Sequence, residues 1–218
     1  MGPGCGPGGG GALGMLDRDA GGGFAGCVAV PVRVRWAVDV LDLRPDDRVL
    51  EVGGGTAASA RLVLDRIPSG RLVALDRSVN ASRRIAAALP REVGSGRLVV
   101  VTRALAELDA DAGVDADGDV DAATLSPASV DVAFAVDVNV FWTSDAAAEL
   151  AVLRRLLVPG GLLAVCFGAD GPRAEAIRPR VLEPVARHVS AAGFVDVEVR
   201  AETDGVGVLA RAPSEPRG

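Results

Sequence analysis

Val49-Leu50-Glu51-Val52-Gly53-Gly54-Gly55-Thr56-Ala57 decides how this 218-residue chain is read. A short apolar run passes straight into three glycines. The residues beyond place Ala60, Val63, Leu64 and Ile67 at helical spacing until Pro68 stops them. A strand that enters a glycine-rich bend and leaves as a helix turns backbone N–H groups and a helix N-terminus towards a ligand. Glycine suits the bend because a Cβ would block that approach and because positive φ is open to it. The next strand, Leu72 to Leu75, closes on Asp76, 23 positions after Gly53. This spacing sets a carboxylate beside the bend, where it can accept hydrogen bonds from two ribose hydroxyls.

The rest of the chain continues the alternation. Pro31 suits the first turn of a helix whose stripe is Val34, Ala37, Val38 and Leu41, ending at Pro45. Ile85, Ala88 and Leu89 mark a third helix, Leu98 to Val101 a third strand, and Val130 to Val136 a buried-type strand. Leu150, Leu153 and Leu157 predict a helix ending at Pro159-Gly160-Gly161, before a strand over Leu162 to Phe167. A helix from about Pro179 to Ala192 stops at Gly193. Val195, Val197 and Val199, then Val206, Val208 and Ala210, alternate with other residues around Asp204-Gly205 and read as an edge hairpin. Five β-then-α units with continuous apolar strands give an α/β fold. Its doubly wound sheet is mostly parallel and ends in an antiparallel hairpin.

Composition bounds the function classes. Hydrophobic residues are 49% and charged residues 24%, ordinary for a globular chain. A net charge of −6 argues against nucleic acid as a partner, whose binding face would be basic. The longest apolar segment, Leu162 to Phe167, is too short for a membrane span. The N-terminus has no basic patch followed by an apolar run, so no signal peptide is expected. Cys5, Cys27 and Cys166 are scattered and suggest a reducing, cytoplasmic setting. Twelve glycines among the first 26 residues, with Pro3 and Pro7, predict a flexible leader over 1–26. One domain is expected over 27–213, with a tail over 214–218.

Two nucleoside cofactors compete for the bend. Gly53, Gly55 and Ala58 satisfy G-x-G-x-x-A, so an NAD(P)-binding oxidoreductase is a rival reading. A short single domain leaves little room for a substrate domain, and the Tyr/Lys pair of short-chain reductases is impossible in a chain with neither residue. The terminal hairpin is also unlike a dinucleotide fold.

The motifs, taken together, resemble class I S-adenosylmethionine-dependent methyltransferases of the small-molecule type. Val49 to Ala57 is similar to their VLE-x-G-x-G-x-G motif, and Val73 to Ser78 to their acidic second motif. Val130 to Phe134 resembles the FD-x-V strand, Leu156 to Leu163 the L-x-PGG turn, and Ala192-Gly193-Phe194 the AGF strand entry. Asn139-Val140-Phe141-Trp142 is similar to VN-x-FW of a small-molecule subgroup. The match covers residues 33 to 212 in order. It implies a seven-stranded Rossmann-like sheet of order 3-2-1-4-5-7-6, S-adenosyl-L-methionine as cofactor, and methyl transfer to a small-molecule acceptor. It also implies that Gly53 and Gly55 line the methionine part, with Glu51 beneath. Asp76 would hold the ribose, Arg77 and Ser78 would flank the adenine, and Gly54, Thr56, Ala104 and Leu105 would complete the cofactor site.

Two positions depart from the pattern: Ala57 replaces the third glycine, and Ala104 stands where an aspartate would meet the adenine amine. The second departure keeps open a catalytically inactive cofactor-binding domain of the same fold.

Methyl transfer from a sulfonium is an in-line displacement that mainly needs alignment, and a base only if the acceptor must lose a proton. The strand ending at Asp137 points its C-terminal end at the ligand crevice of such sheets, so Asp137 and Asn139 are the substrate-side candidates, with Asp137 also near the cofactor. Phe141 and Trp142 either wall the pocket or pack in the core. Asp131 begins the same strand on the opposite rim, a structural place. His188, the one histidine, edges an apolar stripe, and Cys166 reads as a small hydrophobe. Six aspartates over 109–121 miss the glycine and glutamate positions of a calcium loop and read as solvated.

Overall fold

The computed structural model describes residues 30–55, 57–108, 125–168 and 178–214. The glycine-rich leader, Thr56, the aspartate run and the last four residues lie outside them. In chain order the principal elements are α1 (Val32–Asp39), β1 (Arg48–Val52), α2 (Ala58–Arg66), β2 (Arg71–Leu75), α3 (Val79–Ala88) and α4 (Pro90–Gly94). There follow β3 (Leu98–Val101), β4 (Val130–Val136), α5 (Val140–Thr143), α6 (Ala147–Leu156), β5 (Leu157–Phe167), α7 (Glu183–Ala191), β6 (Val195–Ala201) and β7 (Val206–Arg211). The sheet order is β3-β2-β1-β4-β5-β7-β6, as the resemblance implies. Strands β1 to β5 run parallel, and β7 pairs antiparallel with β5 and β6.

Alternation along the parallel strands feeds two cores. Leu50, Val52, Val73, Leu75, Ala133 and Val165 face Leu150, Leu153 and Leu156 of α6 and Val185 and Val189 of α7. Val49, Leu72, Ala74, Phe134 and Ala164 face Trp36 and Ala37 of α1, Ala60 and Val63 of α2 and Ile85 of α3. Both faces are covered, which is why these strands read as unbroken apolar runs.

Two expectations are corrected. The first helix ends at Asp39, well before Pro45, and Leu41 lies past its end, buried in the same core as Ala37 and Val38 with its N–H on Val38 O. Leu157, counted as helical, is extended (φ −71, ψ 139) and opens β5. Pro159-Gly160-Gly161 therefore lies inside β5 as a bulge, where β4 pairing jumps from Val130↔Leu157 to Val132↔Leu162. Glycine is needed at 161 because a Cβ would sit 2.9 Å from the Val158 carbonyl and 3.1 Å from that of Asp131. Among the described residues β3 is followed by the 3-10 turn Leu105–Glu107; residues 109–124, before β4, lie outside them.

Asp131 has the structural place expected of it. Its carboxylate accepts from Arg48 Nε and N at one oxygen and from the other guanidinium nitrogen at the second, tying β4 to β1. The Arg48 hydrogen bond holds this carboxyl below its usual range. At the hairpin, the Trp36 ring lies on Gly205 and its Nε1 donates to Glu202 at 3.0 Å. A Cβ at Gly205 would sit 2.3 Å from that ring. Gly205→Ala should therefore lower stability by about 1–3 kcal/mol in urea unfolding, the range for overpacking. Gly94→Ala, with open space around it, should be neutral or stabilising.

Candidate functional site

Three strands of the sheet end at the same level, and the chain changes direction at each. Gly53 N donates to Leu75 O at the end of β1, Asp76 N to Val101 O after β2, and Asp137 N to Cys166 O after β4. Gly53 leaves β1 at φ +78, and a Cβ there would meet Val138 Cγ2 at 2.5 Å. Only glycine lets both chains pass. Asp137 holds φ +56, a region tolerated by aspartate but uncommon for it. Its backbone is fixed by its own carboxylate, which accepts from Gly168 N and from Arg33 Nε of α1, both at 2.8 Å.

Beside these turns lies a cleft of about 550 Å³. Val52, Gly53 and Leu75 form its floor, and Asp76, Arg77, Arg103, Ala104 and Leu105 line the side towards β3. Asp137 to Val140, Thr143 and Glu149 close the other side. Asp76 reaches across the bend: one oxygen accepts from Gly55 N at 3.3 Å and the other from Ser78 N at 2.8 Å. Arg84 of α3 donates to the Gly55 carbonyl, so the bend is held from both sides.

Of the residues singled out from the sequence, Gly53, Asp76, Arg77, Ala104, Leu105, Asp137 and Asn139 come together around this cleft. Glu51, Gly54, Gly55 and Ser78 do not line it, and Thr56 is outside the described residues. Ser78 instead caps α3, its Oγ accepting from Ala81 N. Phe141 is core, 2% exposed, and Trp142 packs edge-on against Phe167 at 4.9 Å, so neither walls the cleft. Cys166 is buried and its thiol is pushed up to about 12, chiefly by that burial. Sequence reasoning missed Val138, Thr143 and Glu149. For Val138 and Thr143 the available signal was their place just after β4, where a parallel strand opens onto the crevice; Glu149, in α6, carried none.

Glu51 lies under the bend on the α2 face of β1, 2% exposed. Ser59 Oγ donates to its Oε1, while Oε2 is buried and has no partner among the described residues. Burial, opposed by the Ser59 hydrogen bond and helped by the nearby Asp76 charge, pushes its carboxyl up to about 7.

No protein-family model matches the sequence, and no curated protein does. Among solved structures the chain is similar to an S-adenosylmethionine-dependent methyltransferase from Aquifex aeolicus, at 18% identity and TM-score 0.62 over 82% of this chain and 89% of that one. It is similar to Haemonchus contortus phosphoethanolamine N-methyltransferase 2 in complex with S-adenosyl-L-methionine, at 18% identity and TM-score 0.57, covering 77% of this chain. It also resembles the CurJ carbon methyltransferase, at 19% identity and TM-score 0.57, covering 82% of this chain. The chain spans 37% and 54% of the length of these last two. At such identities the likeness is one of fold: the sheet is the seven-stranded Rossmann-like sheet of class I methyltransferases.

A carboxyl whose native pKa lies above its unfolded value of 4.5 contributes stability that is complete below that value and lost as pH rises through about 7. The loss traceable to Glu51 should be about 2–3 kcal/mol between pH 5 and 8. Urea unfolding at both pH values checks this, and Glu51→Gln should remove the difference. An equal decline in the variant would place its origin elsewhere.

Proposed function

We propose that this chain is a methyltransferase that takes S-adenosylmethionine and a small-molecule acceptor. The observation that carries the reading is Asp76, a half-buried carboxylate at the end of β2, in hydrogen-bonding contact with the glycine bend inside the cleft. The residues present fit such a group. The cleft volume is within the roughly 300–1,000 Å³ of small-ligand sites. Gly53 keeps the bend bare, since its Cβ position is already taken by Val138. Asp76 offers two oxygens to a sugar diol, and Val52, Leu75, Leu105 and Val138 offer an apolar bed. The fold shared with S-adenosylmethionine-dependent enzymes supports the same choice of cofactor.

When bound, the cofactor supplies an activated methyl group. The protein's own part is to bind, orient and exclude water. Asp76 would exchange its contact with Gly55 N–H for the ribose hydroxyls. Glu51 supports the bend from beneath without reaching the cleft. Asp137 has one oxygen on Gly168 N and the other on Arg33, so it positions the end of β4 and is not set up as a free base. Asn139, exposed on the rim, is the residue assigned to the acceptor. Acceptors that are already nucleophilic suit this arrangement best. The acidic net charge supports a small molecule over nucleic acid.

Calorimetry with S-adenosylmethionine and with NADH tests the reading. Binding of the first and not the second is expected. Asp76→Ala should weaken it about ten- to hundredfold, the loss of hydrogen bonds to a charged acceptor. NADH binding with no response to the methyl donor, or full affinity in the variant, would overturn it.

A further inference from the structure

We propose that Glu149 recognises the base of the nucleoside, its carboxylate accepting the hydrogen bond of the exocyclic amine. The inference rests on the cofactor reading above. In the sheet order, β2 lies between β1 and β3. With the sugar at Asp76 and one substituent following the glycine bend towards β1 and β4, the base is directed towards the end of β3. Two walls meet it there: Arg103, a donor only, with Ala104 and Leu105 on the β3 side, and Val138, Val140, Thr143 and Glu149 facing them.

The exocyclic amine of adenine is a donor and needs an acceptor when it leaves water. Ala104, Leu105 and the two valines have no polar side-chain atom. Thr143 already donates its hydroxyl to the Asn139 carbonyl at 2.9 Å. Glu149 is the anionic acceptor of this wall. It is half-buried and makes no hydrogen bond or ion pair among the described residues.

A glutamate in the first turn of a helix has an ordinary structural use, closing a capping box on the N-cap N–H. That use is taken here. The N-cap of α6 is Ala146, whose N–H donates to Ser144 Oγ at 3.2 Å. The carboxylate is thus left on the cleft wall, in a helix that packs against the 3-10 turn beginning at Leu105. The two walls of the base-binding end are thereby held together, with the acceptor on the α6 side and the alanine on the β3 side.

The test compares S-adenosylhomocysteine with S-inosylhomocysteine, in which a 6-oxo acceptor and an N1 proton replace the amine, by calorimetry on the full chain. The wild type should prefer the adenosine ligand about tenfold or more. In Glu149→Ala the preference should fall to within about threefold, with inosine-ligand affinity kept or raised because its 6-oxo group no longer faces a carboxylate. That retained affinity is also the control for folding, and Glu149→Gln should lie between. An undiminished preference in Glu149→Ala would overturn the assignment and leave the cofactor reading standing. Equal loss of both ligands in Glu149→Ala and Glu149→Gln would make Glu149 a structural residue and overturn it too. Failure of the wild type to bind either ligand would overturn both readings.

Discussion

The close passage of Val138 over Gly53 is the constraint on which the cleft depends. Two parallel strands, β1 and β4, are neighbours in the sheet, and both chains must turn at their C-terminal ends within a few ångströms of each other. A side chain at 53 would collide with Val138, and its backbone would be held at an unfavourable positive φ. The turn at 137 meets the same crowding differently. An aspartate accepts left-handed φ there and ties itself to Gly168 N–H and Arg33. Such strain persists because neighbouring contacts over-determine it. The cleft is then the space left between two turns that cannot relax towards each other.

Glu51 is a second consequence of the same geometry. Alternation along β1 puts Leu50 and Val52 on the α6 face and Glu51 on the α2 face, directly under the bend. Ser59 satisfies one oxygen, but the other is shut from solvent by Gly54, whose Cβ position is 3.2 Å away. A carboxyl so placed titrates near neutrality because removing a charge from water outweighs one hydrogen bond. An alanine or valine would pack there without that penalty.

What was legible in the sequence follows from how local the signal is. Strand cores, the bend and Asp76 sit in contiguous runs, and the parallel order followed from motifs in series. Leu157 was misread because its apolar side chain fits the helical stripe of Leu150 and Leu153, while the bulge across from Val130 and Val132 fixes it as extended. That pairing is non-local and leaves no trace in the stripe. Phe141 and Trp142 could not be assigned between pocket and core because both uses need large apolar rings; the contact with Phe167 decides it. The second use of Asp137, holding Arg33 from a helix 104 positions earlier, is likewise visible only in three dimensions.

The distribution of charge along the cleft ties these features to the proposed chemistry. At the β1–β4 end, the Asp137 carboxylate is matched by Arg33, so little net field remains where a sulfonium would lie. Both partners are about 40% exposed, so the pair contributes alignment more than stability. In the middle, Asp76 would hold a neutral sugar by hydrogen bonds. At the far end, Glu149 would face an amine that carries no charge either. A cleft arranged in this way would gain most of its affinity from the parts of the proposed cofactor that do not react. The cation itself would be held without tight ion pairing, and that matters for the proposed reaction: its charge disappears as the methyl group leaves, and a strong ion pair to the donor would be lost in the transition state and so raise the barrier.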